Sequence, residues 1–234
     1  MNNIIQYPLT KGQYYEEKYE KKQLFIHHTA SSGNAENIIS GWNNNIDKIG
    51  TSYIINGKAK DNIKYKDGDI IQCFPDNMWA YHLGIKSEVF KKYGIPYQAL
   101  DKTSIGIEIA NWGPLTKQTD GTFKNYVGGV VPNEDVIDLG KEFRGHQYYN
   151  KYTEEQINSL KDLIIYLCDK YKISKKYNEG MWDVNQGCLN GANGIFSHTS
   201  VRHDKYDCFC QPSLINMLKS LENKTDTPIN SEIA

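Results

Sequence analysis

The feature that most constrains the fold is an apolar, β-forming stretch over residues 103–110, which reads Thr-Ser-Ile-Gly-Ile-Glu-Ile-Ala. A run this continuous is typical of a strand that is covered on both faces, because a strand with one solvated face alternates apolar and polar residues. It therefore predicts a central strand in an α/β sheet. The one charged residue in the run is Glu108. A carboxyl group held there should have a raised pKa, as a general base requires.

Shorter patterns predict the elements around this strand. Strands are expected at 24–28, 50–55 and 70–74, the last two paired as a hairpin, and amphipathic helices at 34–45, 153–171 and 212–221. Thr153 and Gln156 have the spacing of a capping box, which marks a helix start. Because no repeat or linker divides the chain, we expect a single catalytic domain over 23–222. A polar N-terminal arm (1–22), an insertion over the site (113–152) and a flexible tail (223–234) complete the predicted organisation.

Potential metal ligands stand in two groups that are far apart in the sequence. His27 closes the apolar run Leu24-Phe25-Ile26, so it should lie at the rim of the sheet. The second group, within 198–208, offers His198, His203, Asp207 and Cys208. A catalytic zinc takes three protein ligands of these types and keeps one position open for water. The residues alone leave open which members of the second group would complete the set.

Composition excludes several classes of protein. The 27 basic and 28 acidic residues nearly cancel, so nucleic-acid binding is not expected. Mean hydropathy is −0.63, and no apolar stretch approaches the roughly 18 residues of a membrane span. The N-terminus lacks the basic and apolar regions of a secretory signal. We therefore expect the protein to be made in the cytoplasm. We also expect it to be a monomer.

Six motifs, in this order along residues 20–220, resemble one family. They are strand-His-His-Thr-Ala, Ser-Tyr-Ile-Ile, Asp-Gly-Asp-Ile-Ile-Gln, Ala-Tyr-His-Leu-Gly, Ser-Ile-Gly-Ile-Glu-Ile and His…Lys-x-Asp. Each motif alone is weak, but the ordered set resembles the zinc-dependent N-acetylmuramoyl-L-alanine amidases of the peptidoglycan-recognition-protein superfamily, particularly the bacterial and phage branch. The resemblance implies a single α/β domain with a central mixed sheet flanked by helices and a zinc ion in a surface groove. It also implies a substrate, peptidoglycan, and hydrolysis of the amide between N-acetylmuramic acid and L-alanine.

The resemblance also implies the roles of individual residues. His27 matches the first zinc ligand. His198 is close to the family spacing for the second ligand, with His203 as the alternative. Asp207 matches the third ligand, and Cys208 replaces it if the register shifts by one residue.

The catalytic groups follow from the same comparison. Lys205 matches the lysine beside the scissile carbonyl, and Glu108 matches the general base. Relatives without that glutamate use a tyrosine in the second strand, where this chain has Thr51, so Glu108 is the expected base. Substrate contacts are expected from a set of ring-bearing side chains: Tyr53, Trp79, His82 and Trp112.

Two other functions share these motifs. A peptidoglycan-binding module of the same fold lacks a metal ligand, usually the last one, whereas this chain offers both Asp207 and Cys208. A cytoplasmic amidase of muropeptide recycling also needs no signal peptide. The insertion and the phage-like motifs favour a lysin that acts on the cell wall after release.

Overall fold

The computed structural model describes residues 4–58 and 64–222. In chain order, its strands and helices are β1 (Ile4–Gln6), β2 (Gln23–His28), α1 (Ala35–Asn43), β3 (Tyr53–Ile55), β4 (Ile70–Gln72), α2 (Ser87–Lys92), α3 (Leu100–Thr103), β5 (Ser104–Ile109), β6 (Pro114–Lys117), β7 (Phe123–Lys124), β8 (Val130–Val131), β9 (Val136–Phe143), β10 (His146–Asn150), α4 (Glu154–Tyr171), α5 (Gln186–Leu189), β11 (Gly194–Ser197) and α6 (Pro212–Ser220).

The main sheet has six strands in the order β1-β4-β3-β5-β2-β11. Strand β5 lies between β3 and β2, so the predicted central strand is confirmed. β3 and β4 pair antiparallel as predicted, while the other neighbours run parallel, which makes the sheet mixed. The parallel pairs bring the carboxyl ends of β2, β5 and β11 to one edge of the sheet.

Helices α4 and α6 cover one face of this sheet. Their apolar side chains pack on inward residues such as Leu24, Ile107 and Tyr53. The predicted capping box at the start of α4 is present: Thr153 accepts a hydrogen bond from the Gln156 N–H, and the Gln156 side chain accepts one from the Thr153 N–H. This cap satisfies backbone donors that would otherwise lack partners at the helix start.

The opposite face is covered by two separate apolar clusters. One joins α1 to β3 and β4 and includes Ile39, Ile54 and Ile71. The other forms around Phe25 and Phe196 and includes residues of α2, α3 and α5. His27 and Glu108 are cross-strand partners on this face and lie between the two clusters. The gap between the clusters is therefore the part of the sheet where polar chemistry can be placed.

Residues 113–152, predicted as an insertion, build a second sheet. Its five strands have the order β8-β7-β6-β10-β9 and enclose a small core of Leu115, Phe123 and Val131. At the turn between β9 and β10, Arg144 donates hydrogen bonds to the carbonyl oxygens of His203 (3.1 Å) and Trp182 (3.3 Å). This contact joins the second sheet to the segment that follows β11.

Three segments differ from the sequence-based organisation or lie outside the description. The predicted N-terminal arm contributes β1, which pairs with β4, because residues 4–6 complete the edge of the main sheet. The segment 180–194, for which the sequence patterns predict no helix or strand, contains α5. The tail at 223–234 lies outside the described residues. Across 4–58 and 64–222, no helix combines the length and the apolar character needed to cross a membrane.

Candidate metal centre

Three side chains converge at the carboxyl edge of the main sheet. His27 lies near the end of β2, and His198 follows directly after β11, the strand paired with β2. Asp207 reaches the same point from the segment after His198. His27 Nδ1 lies 3.2 Å from His198 Nδ1 and 3.1 Å from Asp207 Oδ2, and His198 Nδ1 lies 2.9 Å from Asp207 Oδ2. All three residues are buried.

Hydrogen bonds behind the two imidazoles determine where their protons sit. His198 Nε2 lies 2.8 Å from the Leu83 carbonyl oxygen, which can only accept, so Nε2 carries the proton. In a neutral imidazole the Nδ1 atom is then bare. The Nδ1 atom of His198, which faces the cluster, therefore presents a lone pair.

A longer chain of contacts determines which nitrogen atom of His27 carries the proton. Ser104 Oγ donates to the Leu100 carbonyl oxygen (2.6 Å), so it accepts from His82 Nε2 at 2.9 Å. His82 Nδ1 is then bare and accepts from His27 Nε2 at 3.0 Å. His27 Nδ1 consequently also presents a lone pair to the cluster, as metal-binding histidines do.

Charge at the cluster suits a cation. Burial lowers the pKa of His27 to about 4, so this imidazole is neutral near pH 7. Burial acts to raise the pKa of Asp207, but His198 and His27 outweigh it and hold that pKa well below its usual range. When both imidazoles are neutral, their bare Nδ1 atoms and the carboxylate oxygen of Asp207 face one another. Such lone pairs repel unless a cation lies among them, and two imidazoles with a carboxylate match a zinc donor set.

Glu108 lies next to the cluster on β5. It is paired across the strands with His27, and its carboxyl group lines a cavity of about 250 Å³ together with Thr29, Ser31 and Trp42. Burial, and then the nearby Asp207, raise the pKa of Glu108 well above its usual value, with Lys205 opposing. Its Oε2 atom is buried and makes no hydrogen bond within the described residues. A buried carboxylate without a partner costs free energy, which is characteristic of groups kept for chemistry.

Lys205 lies close enough to Glu108 and His27 for its charge to act on their pKa values. It lines a second cavity, of about 360 Å³, with Tyr81, Arg202 and His198. A larger cavity of about 630 Å³ lies beside the end of α4 and contains none of the predicted site residues. The chemistry of the groups, rather than cavity size, therefore locates the site.

The alternative ligands lie elsewhere. His203 is about half exposed, at 51% of its side chain, and its Nε2 lies 2.9 Å from the Tyr93 hydroxyl. Cys208 belongs to the apolar cluster under α4 and α6. The described structure thus brings together His198 and Asp207 with His27, and it separates His203 and Cys208 from them.

The structure does not bring Tyr53 or Trp79 to the cluster, and it gives His82 a supporting position. Tyr53 points to the opposite face of the sheet from Glu108, because its neighbour Ile54 is the one aligned with Glu108. Trp79 is buried and stacks on Tyr15 at 4.0 Å between ring centroids. His82 lines the second cavity, but its side chain is only 5% exposed and both its nitrogen atoms support other groups.

Trp112 remains a prediction. It is half-buried against the core of the second sheet, with its ring 6.1 Å from that of Tyr126. Sequence reasoning missed Leu83 and Ser104, which orient the imidazoles. Leu83 acts through a backbone carbonyl, which every residue carries, so no side-chain pattern could have revealed it.

Comparisons with known proteins bear on the family and the fold of this chain. A family model described as N-acetylmuramoyl-L-alanine amidase matches residues 18–208. Among solved structures, PlyL gives a TM-score of 0.52 at 14% identity, covering 93% of this chain and 97% of that chain. The PlyG catalytic domain gives 0.50 at 13%, covering 94% of each. The amidase LysC from Clostridium intestinale URNW gives 0.47 at 14%, covering 95% and 99%. No curated protein matches the sequence.

The structural likenesses concern the fold, since their sequence identities are low. The family match is stronger evidence of relationship, because it spans most of the 234 residues. Its range contains the positions of His27, Glu108, His198 and Asp207. On this ground, the chain belongs to the N-acetylmuramoyl-L-alanine amidase family.

Proposed function

We propose that this protein is a zinc-dependent amidase that cleaves the bond between N-acetylmuramic acid and L-alanine in cell-wall peptidoglycan. The observation that carries the proposal is the set of three lone-pair atoms from His27, His198 and Asp207, which lie within 3.2 Å of one another. Family membership supports the peptidoglycan substrate. Because no ligand is missing from the set, the metal-free binding module is disfavoured.

The residues around the cluster suit the chemistry of amide hydrolysis. When bound by these ligands, zinc would supply a Lewis acid that makes water a nucleophile near neutral pH and polarises a carbonyl group. In its ionised form, Glu108 can accept the proton from the attacking water and then deliver it to the amine of the departing L-alanine, and its raised pKa makes it a stronger base than an ordinary carboxylate. Lys205 donates to the oxygen that gains negative charge. His82 and Leu83 keep the imidazole protons away from the cluster.

Metal analysis of variants tests the ligand assignment. Purified wild-type protein should contain one zinc per chain, His198→Ala should lose it, and His203→Ala should retain it. His203 is the matched control because it is another histidine of the same segment but lies outside the cluster. Zinc retained by His198→Ala and lost by His203→Ala would contradict the assignment.

Product analysis tests the reaction and its biological setting. An amidase releases new amino groups on L-alanine and no reducing sugar ends, whereas a glycosidase releases reducing ends. Digestion of intact walls, compared with soluble muropeptides, distinguishes a lytic enzyme from a recycling enzyme. We expect intact walls to be digested. Activity on soluble fragments alone would contradict the lytic role.

A further inference from the structure

One loop supports both imidazoles of the candidate metal centre. The side chain of His82 accepts from His27 Nε2 at 3.0 Å, and the carbonyl oxygen of the next residue, Leu83, accepts from His198 Nε2 at 2.8 Å. These two contacts fix which nitrogen atom of each ligand is bare. The conformation of this dipeptide is therefore a common control point for two metal ligands.

A single carboxylate fixes the conformation of that dipeptide. Asp101 Oδ1 accepts hydrogen bonds from the backbone N–H of His82 at 2.8 Å and from that of Leu83 at 2.9 Å. The Asp101 side chain is 19% exposed, so these charge-assisted bonds are partly shielded from water. Asp101 lies in α3, and Leu100 in the same helix accepts from Ser104 at the end of the His82 chain.

The surrounding packing leaves little freedom for the dipeptide. Gly106 lies beneath it on β5, and a Cβ atom there would come within 3.0 Å of His82 Nδ1 and 2.6 Å of Thr51 Cγ2. Leu83 is fully buried in the cluster around Phe25. The loop is thus closely packed from below, and Asp101 holds its backbone from the side.

We propose that Asp101 is a positioning residue for the metal centre: by orienting the His82-Leu83 backbone, it aims both imidazoles and fixes their tautomers. It touches neither ligand and acts only through the loop. This inference rests on the proposed metal-binding function. The contribution is geometric, because what matters is the place of one acceptor atom rather than the negative charge.

A pair of substitutions separates geometry from charge. Asp101→Asn keeps a side-chain oxygen at the same distance from the backbone and removes the charge. Asp101→Glu keeps the charge and displaces the oxygen by one methylene. Zinc affinity, measured by competition with a chelator on folded protein, should stay close to wild type in Asp101→Asn. It should fall in Asp101→Glu by up to about 10- to 100-fold, which is the loss expected when a direct hydrogen-bond partner of a metal ligand is removed.

A matched control is available on the other face of the sheet. Asp76 is also buried and accepts from Tyr53, Lys170 and Tyr171, and none of these partners is His82, Leu83 or a candidate metal ligand. Asp76→Glu should lower thermal stability and leave zinc affinity unchanged. A loss of affinity equal to that of Asp101→Glu would show that the effect is general destabilisation, and it would overturn the inference.

A second readout needs no metal. In metal-free wild-type protein, nitrogen NMR of the imidazoles should show protons on Nε2 of His27 and His198, and Asp101→Glu should show mixed tautomers. Unchanged tautomers and unchanged affinity in Asp101→Glu would overturn this inference alone. A wild-type protein that binds no zinc would overturn the proposed function as well.

Discussion

At the scale of single residues, the site depends on where protons are held. Backbone carbonyls of Leu83 and Leu100 determine the tautomers of three histidines, and Asp207 is kept ionised beside them. Glu108 is the opposite case, because burial favours its neutral form. Two nearby carboxyl groups thus have pKa values moved in opposite directions, which suits Asp207 to hold a cation and Glu108 to exchange protons.

Replacing Glu108 tests its role as the base. Glu108→Gln keeps the shape of the side chain and removes its ability to accept a proton. The variant should fold and bind zinc like the wild type, and its rate of amide hydrolysis should fall about 10²–10⁴-fold. Near-normal hydrolysis, measured as released L-alanine amino groups, would assign the proton transfer to another group.

Lys21 provides a prediction for stability. Its ammonium group is buried and lies 2.8 Å from the carbonyl oxygens of both Met78 and Lys102. Burial lowers its pKa from 10.5 to about 7, although Asp76 and Asp101 act to raise it. The unfolded chain therefore binds a proton between pH 7 and 10.5 that the folded chain lacks, so this residue makes the free energy of unfolding increase with pH across that window.

The effect can be measured by denaturant unfolding between pH 7 and 10. Removing the titrating group in Lys21→Met should reduce the slope of unfolding free energy against pH by up to about 1.4 kcal/mol per pH unit. Lys22→Met, at the exposed neighbouring position, should keep the wild-type slope. Equal slopes in all three proteins would mean that Lys21 stays charged in the fold.

At the scale of elements, the sequence predicted the parts that local chemistry decides. Residues 103–110 gave a central strand because apolar, β-forming side chains leave no solvated face, and Thr153 gave a helix start because its hydroxyl reaches the third N–H of the helix. The short strands β1 and β11 were missed. Each is stabilised by a partner strand far along the chain, which local pattern does not encode.

The site was predictable to a similar extent. His27 and Glu108 lie in strands, where the alternation of side chains indicates which face of the sheet each one takes. The hydrogen bond between His82 and His27, in contrast, depends on how a loop folds against α3. The face of the sheet that Tyr53 takes was not predictable, because its position at one end of a short strand does not reveal it. Pairing of β3 with β5 decides that question.

The second sheet provides a prediction at this scale. Arg144 bonds to backbone oxygens of Trp182 and His203 and to the Asp183 carboxylate at 2.8 Å, so it holds the segment that carries His198 and Asp207. Arg144→Ala should lower the free energy of unfolding by roughly 1.5–3 kcal/mol, the range for hydrogen bonds with charged groups. It should also speed amide hydrogen exchange in residues 198–207.

The control is Lys141→Ala, which removes an exposed cation from β9. Its stability and exchange rates should match the wild type. If Arg144→Ala also leaves exchange in 198–207 unchanged, the second sheet does not restrain the metal-binding segment.

At the scale of the whole molecule, the fold confines the polar groups to one place. Helices α4 and α6 seal one face of the main sheet, and two apolar clusters cover the other face on either side of the metal centre. Glu108 lines one cavity, and Lys205 lines another together with His198.

The most direct test of the account is a zinc titration of metal-depleted protein, followed by the release of L-alanine amino groups from peptidoglycan. The metal-depleted protein should be inactive, since both activation of water and stabilisation of the oxyanion depend on zinc. Activity should rise with added zinc and level off at one ion per chain, without new reducing ends. Activity that persists in protein shown by elemental analysis to be metal-free, or products that are reducing sugars, would contradict it.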